Sequence, residues 1–162
     1  MFANPQSLAT LQAEWDGVVQ MRERMNHLVI TTFAYDPIAS PAFGNILYNL
    51  PLLLAFDVLK HVLLQAKEEG LFPLSGRRLG DLMDSAQVSL PWIDWQCLRE
   101  GVTSRNEVAH EGRLLGDKQC LQHIAEIEAQ LAAWGVITET EPSPVNPLDL
   151  SPTNSNLKDV YK

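Results

Sequence analysis

The sequence predicts an all-α protein: a bundle of about five helices, followed by a tail of different composition. Apolar residues recur at three- and four-residue steps in several long segments. No stretch alternates like a strand or carries a hairpin dipeptide, and no internal repeat is present. Segments rich in proline and glycine separate the periodic stretches. With 162 residues, 46% of them hydrophobic, the chain has enough apolar material for one buried core.

The first helix runs from Ser7 to about Thr31, where Leu8, Leu11, Trp15, Val18, Val19, Met21, Met25, Leu28 and Val29 keep helical spacing among charged residues. Asp36-Pro37-Ile38-Ala39-Ser40-Pro41 breaks it, because proline lacks a backbone donor and restricts the residue before it. A second helix starts between Gly44 and Leu52 and runs to Glu69, with Gly70 placed for a left-handed cap. Its residues Leu52 to Leu64 are apolar nearly all round, the signature of a central, buried helix.

After a turn at Phe72-Pro73-Leu74-Ser75-Gly76, a short helix over Arg77–Ala86 places Leu79, Leu82 and Met83 inward. Ser89-Leu90-Pro91 then has the composition of a helix start, with serine as cap and proline in the first turn. Trp92, Trp95, Leu98 and Val102 continue its spacing. The last helix covers Asp117–Trp134, with Leu121, Ile124, Ile127, Leu131 and Trp134 on one face and Gly135 closing it. Residues 1–138 therefore form one helical domain. Residues 139–162, with Pro142, Pro144, Pro147 and Pro152 among Ser, Thr and Asn, form an extended or disordered tail.

Composition limits function. Twelve Lys and Arg against 20 Asp and Glu give a net charge of −8, which excludes a uniformly basic nucleic-acid face and a polybasic membrane module. Two cysteines, Cys97 and Cys120, make no disulfide framework and suit a reducing compartment. The N-terminal residues lack a secretory pattern, and the apolar run Leu50–Phe56 is far shorter than the ~20 residues of a membrane span. A cytoplasmic, soluble protein without membrane contact is expected. No glycine-rich phosphate loop, Ser-His-Asp set or carboxylate cage is visible, so neither cofactor nor metal is expected. Cys120 and His123 have the spacing of two zinc ligands but lack a second pair nearby. Trp92 and Trp95 have the spacing of core residues or of a base-stacking platform. Arg77, Arg78, Arg99, Arg105 and Arg113 are candidates for a local basic patch, with dispersed surface charge as the alternative.

One segment carries chemistry: Ser104-Arg105-Asn106-Glu107-Val108-Ala109-His110-Glu111-Gly112. Ser104 and Glu107 have capping-box spacing, which predicts a helix start with Arg105 in its first turn. A guanidinium beside free backbone N–H groups would receive a phosphate. Around an unbroken helix Arg105 and His110 lie roughly 140° apart, whereas Asn106 and His110 share a face. The amide would then orient the imidazole.

The R-N-x-x-x-H sequence Arg105–His110, its continuation as Ala109-His110-Glu111-Gly112, and the L-x-D-L element Leu79-Gly80-Asp81-Leu82 in an all-helical chain resemble the HEPN superfamily. The resemblance spans about Leu50 to Trp134. It implies a metal-independent endoribonuclease, often a toxin or anti-phage component, acting on RNA as a homodimer with both motifs at the interface. In that family pattern Arg105 would hold the scissile phosphate, His110 would serve as general base or acid, and Asn106 would orient them. Its alternative is a non-catalytic dimerisation, interaction or nucleotide-binding module. Some members carry a tyrosine two residues after the histidine, which a nucleotidyltransferase antitoxin modifies with AMP. This chain has Gly112 there, which leaves the identity of any antitoxin open.

Overall fold

The computed structural model describes Phe2 and residues 4–35, 41–73 and 76–138, and among these the only regular structure is helical. The order is α1 (Pro5–Tyr35), α2 (Pro41–Glu68), α3 (Leu79–Ala86), α4 (Trp95–Asn106) and α5 (Asp117–Ala133), with a single π-helical turn, Glu107–Glu111, continuing α4. The described residues form an all-α, five-helix bundle. The expected tail, 139–162, and the expected break at 36–40 lie outside the described residues, as do Leu74 and Ser75 of the turn.

Helix α2 is the hub, touching α1, α3, α4 and α5. Leu52, Ala55, Phe56, Leu59, Val62, Leu63 and Ala66 are all fully buried, which agrees with the near-continuous apolar circumference of that stretch. The helix begins earlier than its sequence suggests, at Pro41, and passes through Pro51 without ending. Proline suits a first turn, and at Pro51 burial in the bundle outweighs the loss of one backbone bond. As one continuous helix, Phe43–Glu68 is long and apolar enough to cross a membrane, although the run seemed too short when it was cut at Asp57. Since 61% of that window is buried inside the bundle, it has the character of a core helix.

Three polar links fix the packing around α2. The Tyr48 hydroxyl donates to Asn26 Oδ1 on α1 at 2.8 Å. His61 Nδ1 lies 2.8 Å from Glu14 Oε2. Asn49, buried, donates through Nδ2 to the Leu115 carbonyl (2.9 Å) and accepts the Leu115 N–H at Oδ1 (3.2 Å), so the loop before α5 is bracketed by one side chain. Arg22 of α1 reaches Glu128 of α5 at 3.3 Å. α1 is buried only at Leu11, Trp15 and Val18, and its second half leaves Leu28, Ile30 and Phe33 exposed.

The fourth helix corrects the sequence expectation. It starts at Trp95, not at Ser89–Pro91, and is capped by Asp94, whose Oδ1 accepts the Cys97 N–H at 2.9 Å. The backbone of 91–93 is committed elsewhere. The Pro91 carbonyl accepts from Gln130 Nε2 (3.1 Å) and Trp134 Nε1 (2.7 Å), and the Ile93 N–H donates to Gln130 Oε1 (2.8 Å). Gln130 is thus a fully buried amide with both ends satisfied, as burial of a polar group requires. Trp92 packs edge-on against Trp134 with ring centres 4.8 Å apart, and Trp95 donates to the Met83 carbonyl. Both tryptophans lie against the core. The glycine caps behave as their composition predicts: Gly70 and Gly135 have φ of 75° and 70°.

Candidate active site

The Arg105–His110 segment lies at the far end of α4 and in the π turn that continues it. This overturns the capping-box expectation. Arg105 occupies the last turn of α4, and the π turn continues the helix from there, so the free N–H groups of a helix start are not beside it and the segment offers no anion cradle. Ser104 and Glu107 sit in continuous helical backbone, and the Glu107 N–H bonds to the Thr103 and Ser104 carbonyls as any helical residue would.

An i→i+5 turn holds one residue more than an α turn. Positions five apart therefore come closer to one side than the roughly 140° of a regular helix. The turn is anchored by Val108, which is buried, and it ends at Gly112, whose φ of 67° is left-handed and whose N–H bonds to the Glu107 carbonyl. Only glycine adopts that conformation without strain. Between the buried Val108 and the bracketed Leu115, His110 is held out on the surface.

The guanidinium of Arg105 is fixed from two sides. Nη1 donates to Asn106 Oδ1 and Nη2 to Asp57 Oδ1 on α2, each at 3.2 Å. The arginine side chain is 23% exposed and the Asp57 side chain 48%, so this pair sits at the rim of the core. Arg105 Nε is buried with no hydrogen-bond partner. Asn106 therefore serves the arginine, not the histidine as its four-residue spacing suggested. His110 is exposed and makes no hydrogen bond or ion pair among the described residues. Arg105 and Asn106 are hydrogen-bonded, and no side-chain hydrogen bond joins His110 to either.

Asp57 is the residue that sequence reasoning missed. It is separated from Arg105 by 48 positions, and its signal was a carboxylate within the most apolar stretch of the chain. Three of the five arginines of the expected basic patch are offset by carboxylates: Arg99 pairs with Asp84 (3.0 Å), Arg105 with Asp57 (3.2 Å) and Arg113 with Glu107 (3.2 Å).

A second polar cluster joins α4 to α5. Glu126 accepts from His123 Nδ1 at 2.9 Å and from Gln122 Nε2 at 2.9 Å. Burial raises the Glu126 carboxyl, but hydrogen bonds from Cys97, His123 and Gln122 outweigh it and hold the group below its ordinary value. The Cys97 thiol is pushed up to about 11, first by its hydrogen bond to Glu126, then by burial and the charges of Glu126, Asp94 and Glu100. Cys120, buried and bonded to the Leu115 carbonyl, is pushed up to about 12, chiefly by burial. Neither thiol is an activated nucleophile. At pH 8 Cys97 should alkylate roughly 100-fold more slowly than a free thiol, and Glu126→Gln should accelerate it, as followed by mass spectrometry. Labelling of native Cys97 at the free-thiol rate would contradict this. Cys120 and His123 do not join a third ligand, and no group of three His, Cys, Asp or Glu side chains suited to a metal occurs among the described residues.

No protein-family profile, curated protein or solved structure matches the chain.

Proposed function

We propose that the chain is a cytoplasmic, metal-independent endoribonuclease of HEPN type, a toxin or anti-phage component that cleaves RNA as a homodimer. The observation that carries this reading is a guanidinium fixed by Asp57 and Asn106 in the last turn of α4, five residues ahead of an exposed, unengaged imidazole in the π turn that continues the helix. A fixed arginine stabilises charge that develops on phosphate oxygens. An accessible imidazole is the side chain most often used as general acid or base. Together they supply the two elements of attack by a ribose 2′-hydroxyl on the adjacent phosphate: Arg105 holds the phosphodiester, and His110 takes the hydroxyl proton or returns one to the leaving 5′-oxygen. The product ends in a 2′,3′-cyclic phosphate.

The homodimer draws support from α2. Ile46, Leu50 and Leu54 are all exposed and, at four-residue steps, share one side of the helix. The stripe leads to Asp57, three residues on, and so to Arg105. A second copy packed on that side would cover the apolar residues and bring two arginines toward one cleft.

The test is incubation of the purified chain with single-stranded RNA in excess EDTA. Cleavage to fragments ending in 2′,3′-cyclic phosphate, by a species of twice the chain mass, is expected. Intact RNA would overturn the nuclease reading. The offset of Arg105 by Asp57 favours one other reading, a non-catalytic module that binds RNA or nucleotides without cutting them.

A further inference from the structure

We infer that Asp57 is a positioning residue that also sets the strength of RNA binding at Arg105, by occupying and offsetting the guanidinium until a phosphodiester displaces or shares it. This rests on the proposed RNA-directed role of Arg105. Three features of the site lead to it. Asp57 reaches Arg105 from a different helix, so the contact does not follow from local chain geometry. Arg105 Nε is buried without a partner, so the guanidinium is anchored through its two Nη atoms, the ones a phosphate would use. Among the five arginines considered for a patch, Arg105 is the one whose acidic partner sits on α2, beside the exposed stripe of Ile46, Leu50 and Leu54.

The consequence follows from charge. Paired with Asp57, Arg105 adds little net positive potential for an approaching backbone, so resting phosphodiesters bind weakly. A phosphate that gains negative charge on the way to its transition state competes better for the same two Nη groups. An interaction that strengthens along the reaction raises turnover rather than only tightening binding. In a chain of net charge −8, such a device keeps RNA held loosely while leaving the arginine in place.

The experiment measures binding of a short fluorescein-labelled, fully 2′-O-methylated oligouridine, which cannot be cleaved, to the full chain across a salt series. Asp57→Asn keeps an oxygen that can accept from Nη2 and removes the charge. It is expected to bind about three- to tenfold more tightly, with a log–log salt slope steeper by about 0.7, the increment for one extra phosphate contact on a single strand. Asp57→Glu, which keeps the charge, should restore the wild-type slope. Adding Arg105→Ala to Asp57→Asn should erase the gain. A merely structural role for Asp57 would instead weaken binding in Asp57→Asn.

The outcomes separate the two claims. Weaker or unchanged binding by Asp57→Asn, with Arg105→Ala still reducing affinity, overturns the inference and leaves the nuclease reading standing. Tighter binding by Asp57→Asn, in a wild type that leaves natural RNA intact, upholds the inference and removes the nuclease reading. No effect of Arg105→Ala overturns the inference together with its site. Where natural RNA is cleaved, KM should fall in Asp57→Asn while kcat falls with it, the pattern of added ground-state binding.

Discussion

His110→Ala is expected to lose about 10²–10⁴-fold in RNA cleavage, the usual contribution of one positioned general acid or base, equivalent to about 3–5 kcal/mol of barrier. The loss should fall on kcat, with binding of uncleavable RNA unchanged, because His110 is engaged with no other described residue and holds no part of the fold. For the same reason the thermal unfolding midpoint should not move. That combination separates chemistry from structure: His110 is exposed, whereas Val108, two residues earlier, is buried. A His110→Ala protein as active as wild type would remove the histidine from the mechanism.

Phe56→Ala is expected to destabilise the protein by about 3–5 kcal/mol, the range for deletion of a fully buried aromatic ring. Phe56 is completely enclosed on α2 and fills the space between α4 and α5. A Cβ at Gly101 of α4 would come within 2.9 Å of Phe56 Cζ, and the Phe56 and His123 ring centres lie 6.4 Å apart with their planes tilted by 55°. The missing side chain at Gly101 lets α4 approach the ring more closely than a residue with a Cβ would allow without a shift. Chemical denaturation should show the midpoint lowered with the slope preserved, and the melting temperature reduced by roughly 10 °C. A cost below about 1 kcal/mol, smaller than for most core deletions, would mean that the three helices close over the gap.

The number and order of helices were legible in the sequence because a buried face must repeat with the helical period, and Leu52–Leu64 or Leu121–Trp134 could bury their apolar residues in no other regular form. Boundaries were less so. Ser89-Leu90-Pro91 has the composition of a helix start, yet Gln130 and Trp134, some 40 residues away, claim that backbone for themselves. Ser104 and Glu107 have the spacing of a cap and sit within a helix, since serine and glutamate three apart are equally at home in helical backbone. For the site, the sequence placed Arg105 beside Asn106 and His110 nearby. It held no record of the π turn, which lies between the buried Val108 and the glycine cap Gly112, nor of Asp57, which meets Arg105 only after α2 and α4 have packed. Local pattern carries local structure, and long-range pairing of charges leaves only the oddity of a carboxylate in an apolar run.

The central position of α2 has a consequence for synthesis. Its apolar circumference is complete once Glu68 has been added, but α5, which covers one of its sides, ends only at Ala133. At ~5–20 residues per second the ribosome takes on the order of several seconds to make the intervening chain. For that interval α1, joined in turn by the short helices α3 and α4, shields a helix with the length and composition of a membrane span, and the side that α5 covers stays open. The nascent chain is therefore at its most adhesive between the synthesis of α2 and that of α5, and chaperone demand should peak there and subside as α5 emerges.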